Sequence, residues 1–328
     1  MKKILVASSL ALSALTVTPA AMAIDITPSG FVDFIWTLSD GTDVGKNGAE
    51  GRFDTSGELD VESKLKEGIT MRFDADVNPN DPNNDSARLE QIFLKWDIDQ
   101  KMALLGGVYN NNLTFEREDA PDLYQITHGQ LWDIWESTTS EGGNNLQGLE
   151  FNYQFKQVNL IIGYLNDLGN VADKNSVKIA AEVTAVKNLD IVLGLITQES
   201  PTAVGGNPQS VGDIFDIFAK YKWNKWLFGG EILIADERVD SGFMLMTNYQ
   251  FNNKFSLTGR YDFVKYDVTG VDDTSSITIA GLYSISDNLF ANAEIRFNDD
   301  PNQSPTPFTP DVGEGDGTTA RLELLATF

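Results

Sequence analysis

Apolar residues recur at every second position in sixteen separate runs of about ten residues, and this repeat constrains the fold more than any other feature. The stretch "LEFNYQF" puts Leu149, Phe151, Tyr153 and Phe155 on one side and Glu150, Asn152 and Gln154 on the other. After "KQ", the residues Val158, Leu160, Ile162 and Tyr164 repeat the pattern. Successive side chains of a strand point to opposite faces, so each run reads as a strand with one apolar and one polar face. Downstream runs lie at 177–185, 189–195, 215–221, 226–234, 243–251, 255–263, 277–285, 289–297 and 320–328, and upstream runs at 32–38, 59–65, 69–77, 92–98 and 104–108.

The connections alternate in length. "KEG", "DQK", "KQ", "VKN", "KWNK", "NN" and "SD" are short, while residues 78–86, 198–212 and 298–318 are long and polar. Short turns at one end and long loops at the other characterise a transmembrane antiparallel up-and-down β-barrel of the bacterial outer membrane. Closure leaves no unpaired sheet edge, which a bilayer requires. Aromatic residues reinforce the reading. Trp96, Phe155, Tyr221, Trp226, Phe251, Phe255 and Tyr283 flank the short turns, and Trp36, Tyr164, Phe263 and Phe297 lie near the long loops. A soluble β-sandwich also alternates, but it has no reason to carry two aromatic belts. The predicted fold is therefore all-β, a barrel of about sixteen strands.

"MKKILVASSLALSALTVTPAAMA" has a basic start, a modest apolar run and a small-x-small end, the layout of a cleaved signal peptide over residues 1–23. Residues 24–328 then form one barrel domain, without the ~20 consecutive apolar residues that a membrane helix needs. An exported chain with no cysteine holds together without disulfides. With 48 acidic against 24 basic residues, nucleic acid is excluded as a partner.

The final residues "RLELLATF" resemble the C-terminal signature of bacterial outer-membrane proteins. That resemblance implies that Phe328, Leu324 and Leu322, with Ala326, are read by the barrel-assembly machinery. "GFVDFIWTLSD" is similar to the opening strand of Gram-negative porins. "LGGVYNNNLTFEREDAPDLY" and the hairpins from Asn145 to Ser200 resemble the β-barrel porin-2 (OmpL-like) family. The resemblance implies a cell outer membrane location in a Gram-negative bacterium, contact with lipid and lipopolysaccharide, and passive diffusion of small hydrophilic solutes or ions. It also implies that the third long loop, residues 110–147, folds into the lumen, and that the barrel forms a homotrimer. The alternative is a non-conducting barrel: an adhesin, a receptor or a structural protein.

The polar member of each alternation faces the lumen. The predicted pore-lining residues are Arg72, Arg260, Arg296, Arg321, Asp33, Glu58, Asp74 and Glu150, with Asp60, Glu62, Glu182, Glu231, Asp262, Glu294 and Glu323 and the bases Lys95, Lys178 and Lys220. Pairs such as Glu294 with Arg296, or Arg321 with Glu323, would let charge line the lumen without further purpose. The long loop carries Glu116, Glu118, Asp119, Asp122, Asp133, Glu136 and Glu141 against one arginine. It is expected to form an acidic constriction facing the Arg72, Arg260, Arg296 and Arg321 wall. "QLWDIWES" reads as a short helix whose Leu131, Trp132 and Trp135 pin the loop to the barrel. An acidic excess predicts a modest cation preference.

No catalytic set is expected, since the only histidine, His128, lies in the long loop without an adjacent serine. No cofactor and no specific metal site are expected either. "DVNPNDPNND", Asp76 to Asp85, lacks the glycine and closing glutamate of a calcium loop.

Overall fold

Sixteen antiparallel strands close into one barrel in the computed structural model, which describes residues 25–39, 50–65, 68–79, 87–139, 144–168, 173–199, 211–300 and 316–328. The signal-peptide expectation for residues 1–23, Glu141 and most of the 76–85 motif lie outside these residues. The strands are β1 (Asp25–Ser39), β2 (Glu50–Lys64), β3 (Ile69–Val77), β4 (Ala87–Asp97), β5 (Met102–Asn110), β6 (Asn145–Phe155), β7 (Val158–Asn166) and β8 (Asn175–Val186). They continue as β9 (Leu189–Ile196), β10 (Ile214–Trp223), β11 (Trp226–Ala235), β12 (Val239–Gln250), β13 (Phe255–Tyr266), β14 (Thr274–Ser286), β15 (Leu289–Asp299) and β16 (Gly317–Thr327).

Each strand pairs with its sequence neighbours, and β1 closes the ring on β16 with Phe34 opposite Leu324 and Trp36 opposite Leu322. The Phe328 amide extends this seam, donating to the Gly30 carbonyl at 3.1 Å. The two-residue turns at 156–157, 187–188, 224–225 and 287–288 lie at one end. Lys156, Asn188 and Asn224 take positive φ there, as tight hairpin turns demand. At the other end one connection departs from the expected long loops: residues 236–238 join β11 to β12 in three residues.

Outward rows are apolar and exposed, as on Ile162, Ile179, Ile232, Leu245 and Leu322. Trp96, Phe155, Tyr221, Phe251 and Tyr283 are exposed beside the short turns, and Tyr164 and Phe297 at the far rim. Only a lipid environment stabilises so continuous an apolar belt. The outward glycine Gly259 opens a groove of about 550 Å³ between Phe228, Leu245, Tyr261 and Ile279.

The interior departs from simple alternation. Inward positions of β7, β9 and β11 are largely apolar: Ile161, Leu165, Val192, Ile196, Leu227 and Leu233 are all buried. A strand buried on both faces reads as a near-continuous apolar run. What covers these residues is the described part of the segment between β5 and β6, residues 111–139, hereafter loop 3. It holds a single helical turn at Ala120–Asp122 and helix α1 (Gln130–Thr138).

Candidate functional site

Loop 3 lies inside the barrel because its apolar residues match the apolar half of the wall. Leu113, Phe115, Leu131, Ile134 and Trp135 are at most 2% exposed and share one core with Leu165, Ile196, Phe218, Leu233, Met244 and Val264. The wall is thinned where the loop presses hardest. A Cβ on inward Gly229 would lie 2.3 Å from Phe115, one on Gly194 2.7 Å from Leu113, and one on Gly242 3.1 Å from Leu131. Glycine permits this close approach. The predicted helix is therefore observed, with Leu131 and Trp135 as wall anchors.

Polar anchors complete the docking. The Trp135 indole donates to Asp216 Oδ2 at 3.3 Å, and the Phe115 amide donates to Glu231 Oε1 at 3.3 Å. At the entry to the loop, Lys178 Nζ donates to Glu150 at 2.8 Å and to Asn112 at 2.5 Å, while Asn112 donates to Glu182 at 2.7 Å. Lys178 and Glu150 are both buried, so this ion pair fixes the loop instead of facing water.

The loop tip is held farther round the barrel, on β13 and β15. Arg260 on β13 donates from Nη1 to Glu116 Oε1 and to the Thr127 carbonyl, each at 2.7 Å, and from Nη2 to the His128 carbonyl at 2.9 Å. Glu116 also accepts the Gly129 amide at 2.5 Å and the Gln125 side-chain amide. On β15, Glu294 accepts the Ile126 and Thr127 amides at 2.8 and 3.1 Å, and Arg296 Nη1 donates to the His128 carbonyl at 3.3 Å. Arg321 on β16 reaches Glu294 at 3.5 Å, its directly opposed residue in the ladder.

These contacts revise the expected arrangement of charge. Arg260 does not face Glu116 across an opening: the two are joined directly, and both side chains are buried. Arg260, Glu294 and Arg296 clamp the loop tip to β13 and β15, and Arg321 on β16 supports Glu294. Arg72 stands apart on β3, where Nε donates to Asp74 at 2.7 Å and Nη2 to Asp60 at 3.3 Å. An arginine wall opposed by a free acidic loop is thus replaced by a clamp on one side and an acid-rich face on the other.

That acid-rich face is formed by inward residues of β16 and β1–β4. Asp33, Glu58, Asp74 and Glu323 are buried, and Asp60 and Arg72 half-buried. Glu90 joins them through an irregularity of β4. Asp74 pairs with Gln91 and Ala75 with Leu89, so both Glu90 and Gln91 turn inward. A bulge re-aims one extra side chain in this way. Glu90 escaped the sequence reading. Its signal is the break in "LEQI", where two polar residues separate Leu89 from Ile92.

Loop 3 presents its remaining charges between the two walls. Asp122 and Arg117 are exposed although they lie within a closed barrel, which places water around them. Glu136 is also exposed, and Asp133 half-buried on α1. Glu118 accepts the Asn144 amide at 3.0 Å, and burial pushes its carboxyl up to about 8. Burial likewise holds Asp119 above the ordinary carboxylate range. On β10, Lys220 Nζ lies 4.9 Å from the Phe115 ring and 5.5 Å from the Tyr124 ring. His128 stacks on Trp132 at 3.6 Å and donates from Nε2 to the Arg117 carbonyl at 2.8 Å, so its ring forms part of the loop's packing.

Comparison with known proteins agrees with this geometry. The family model described as "Putative beta-barrel porin-2, OmpL-like" matches residues 46–328. The anion-selective porin from Comamonas acidovorans superposes with a TM-score of 0.70 at 14% identity, covering 93% of this chain and all of that one. Salmonella typhi OmpF, in complex with daunomycin, gives a TM-score of 0.70 at 12% identity, covering 92% and 97% of the two chains. Vibrio cholerae OmpT gives 0.62 at 11% identity, covering 94% and 98%. At these identities the likeness is one of fold. No curated protein sequence matches the chain.

Proposed function

The chain belongs to the β-barrel porin-2 (OmpL-like) family of Gram-negative outer-membrane porins, and from that premise we propose a diffusion channel for small hydrophilic solutes or ions with a charged, cation-preferring constriction. The observation that carries the reading is the one-sided docking of loop 3. Its apolar face is consumed by β6–β13, and its charged turn is turned toward the polar face of β16 and β1–β4. A loop that filled the lumen would bury Asp122 and Arg117, yet both are exposed.

Charge sets the preference. Asp60, Asp119 and Asp122 are half-buried or exposed at the passage, with Asp33, Glu58, Asp74, Glu90 and Glu323 buried in the wall behind them, against Arg72, Arg117 and Lys220. A ring with excess acid raises the local concentration of cations and repels anions. The anion selectivity named for the Comamonas porin belongs to that protein, whose fold alone is shared at 14% identity.

The test is single-channel recording in a planar bilayer under a salt gradient. Discrete steps with a cation-selective reversal potential support the proposal. Anion selectivity would assign control to Arg72, Arg117 and Lys220. Silence from folded, inserted barrel would sink the channel and favour a binding role for the outer loops. The proposal includes homotrimer formation, contact with lipopolysaccharide, and handling by the barrel-assembly machinery through Phe328, Leu324 and Leu322. Those three side chains are exposed on the lipid face, which supports the last point.

A further inference from the structure

Three carboxylates converge where the loop 3 turn meets the acid-rich wall. Oxygens of Glu58 on β2, Glu90 on β4 and Asp119 at the start of the Ala120–Asp122 turn all lie within 4.8 Å of one another. Glu58 is 5% exposed and Glu90 1% exposed. Glu58 Oε1, Glu90 Oε2 and Asp119 Oδ1 are buried and accept no hydrogen bond among the described residues. The nearby guanidinium groups point to other acids. Arg72 is held by Asp60 and Asp74, and Arg88 by Asp76 at 2.8 Å.

Asn145 Nδ2 donates to the other oxygen of Glu90 at 3.4 Å, but the three facing oxygens have no donor, and carboxylates this close are held together by a cation or by shared protons. We propose that Glu58, Glu90 and Asp119 bind one divalent cation of the calcium class, and that this ion ties loop 3 to the barrel wall. Hard cations take oxygen ligands at about 2.4 Å, so two ligands of one ion stand no more than about 4.8 Å apart, a limit this trio meets. Three carboxylates, completed by water from the lumen, suit calcium better than magnesium, which demands stricter octahedral geometry. The second trio, Glu58 with Asp60 and Asp74, is the weaker site because Arg72 already neutralises two of its members.

The site would be a second fastening for loop 3. Arg260 and Glu294 hold the segment from Ile126 to Gly129, and the ion would hold the turn at Asp119 on the other side of the lumen. It would also remove up to two negative charges from the passage. The inference stands on the barrel and loop positions and is read by binding, so it fails or succeeds independently of conduction.

The experiment is isothermal titration of calcium chloride into chelator-treated barrel folded in detergent free of lipopolysaccharide. Wild type and Asp240→Asn, an exposed acid paired with Lys265, are expected to show one saturable site per chain. Glu90→Gln and Glu58→Gln are expected to weaken it by roughly tenfold or more. Asp119→Asn lies off the strand ladder and serves where a strand variant does not fold. The same variants should abolish any calcium-dependent rise in unfolding temperature. Equal isotherms in wild type and all three variants would overturn the proposal. So would an absence of saturable binding in wild type, which would mean that protons alone neutralise the cluster.

Discussion

Arg260 Nη1 and Glu116 Oε1 meet at 2.7 Å with both side chains buried, 144 residues apart in sequence. Removing one partner of a buried ion pair strands a charge and costs roughly 3–5 kcal/mol. Arg260→Met is expected to release the loop tip, since the Thr127 and His128 carbonyls lose donors as well. Single-channel records should then show larger and noisier current, and the unfolding temperature should fall. A double variant with Glu116→Gln should cost less than the sum of the two single changes, because each removes the same interaction.

Gly229 is the place where the wall makes room for loop 3. A side chain there meets the Phe115 ring at 2.3 Å, so Gly229→Val must move the ring or bend β11. Overpacking of this kind costs about 1–3 kcal/mol. The barrel ladder is otherwise untouched, so the variant is expected to fold but to expose loop 3 to protease. Unchanged protection of the 111–139 segment would show that Phe115 is not a principal anchor.

Phe328 gives a test that separates folding from delivery. Its ring is 63% exposed on the outer face, so Phe328→Ala removes little internal packing. Its backbone bond to Gly30 survives the change. Refolding into detergent is expected to proceed as in wild type, whereas the amount of barrel recovered from the outer membrane of cells should drop several-fold. Equal loss in both assays would assign Phe328 a purely structural role.

The strands were legible because lipid demands an unbroken apolar row on one face, and period two records that demand directly. Sixteen strands and their order follow from it, while the docking helix with Trp135 was legible from the three- and four-residue spacing of Leu131, Trp132 and Trp135. The inner face was less legible. Its residues answer to loop 3 and to neighbouring strands, and the register across a long connection is not written locally. Glu294 and Arg321 oppose one another across residues 300–316, so their pairing could not be read from adjacent alternation, which suggested Arg321 with Glu323 instead. Glu90 turns inward through a bulge that shifts the phase of β4 by one residue. The apolar inner faces of β7, β9 and β11 did leave a sign. "NLIIGYL" and "DIVLGLI" are richer in apolar residues than a strand with one wet face requires.

Charge at the edge of loop 3 should set selectivity in a predictable sense. Asp122 is exposed on the loop turn, while Lys220 on β10 stands over the Phe115 and Tyr124 rings of loop 3. Asp122→Asn removes a negative charge from the passage, so the reversal potential under a salt gradient should move toward the anion side. Lys220→Gln removes a positive charge and should move it toward the cation side. The cation–π attraction that Lys220→Gln eliminates is worth only about 0.5–1 kcal/mol, so the loop should stay in place and the unit conductance should change little. The screening length is about 10 Å at 0.1 M salt and about 3 Å at 1 M, so both shifts should shrink as salt rises. Shifts of the same sign in the two variants, or shifts that persist at 1 M, would mean that the substitutions act by moving loop 3 and not by changing the field in the passage.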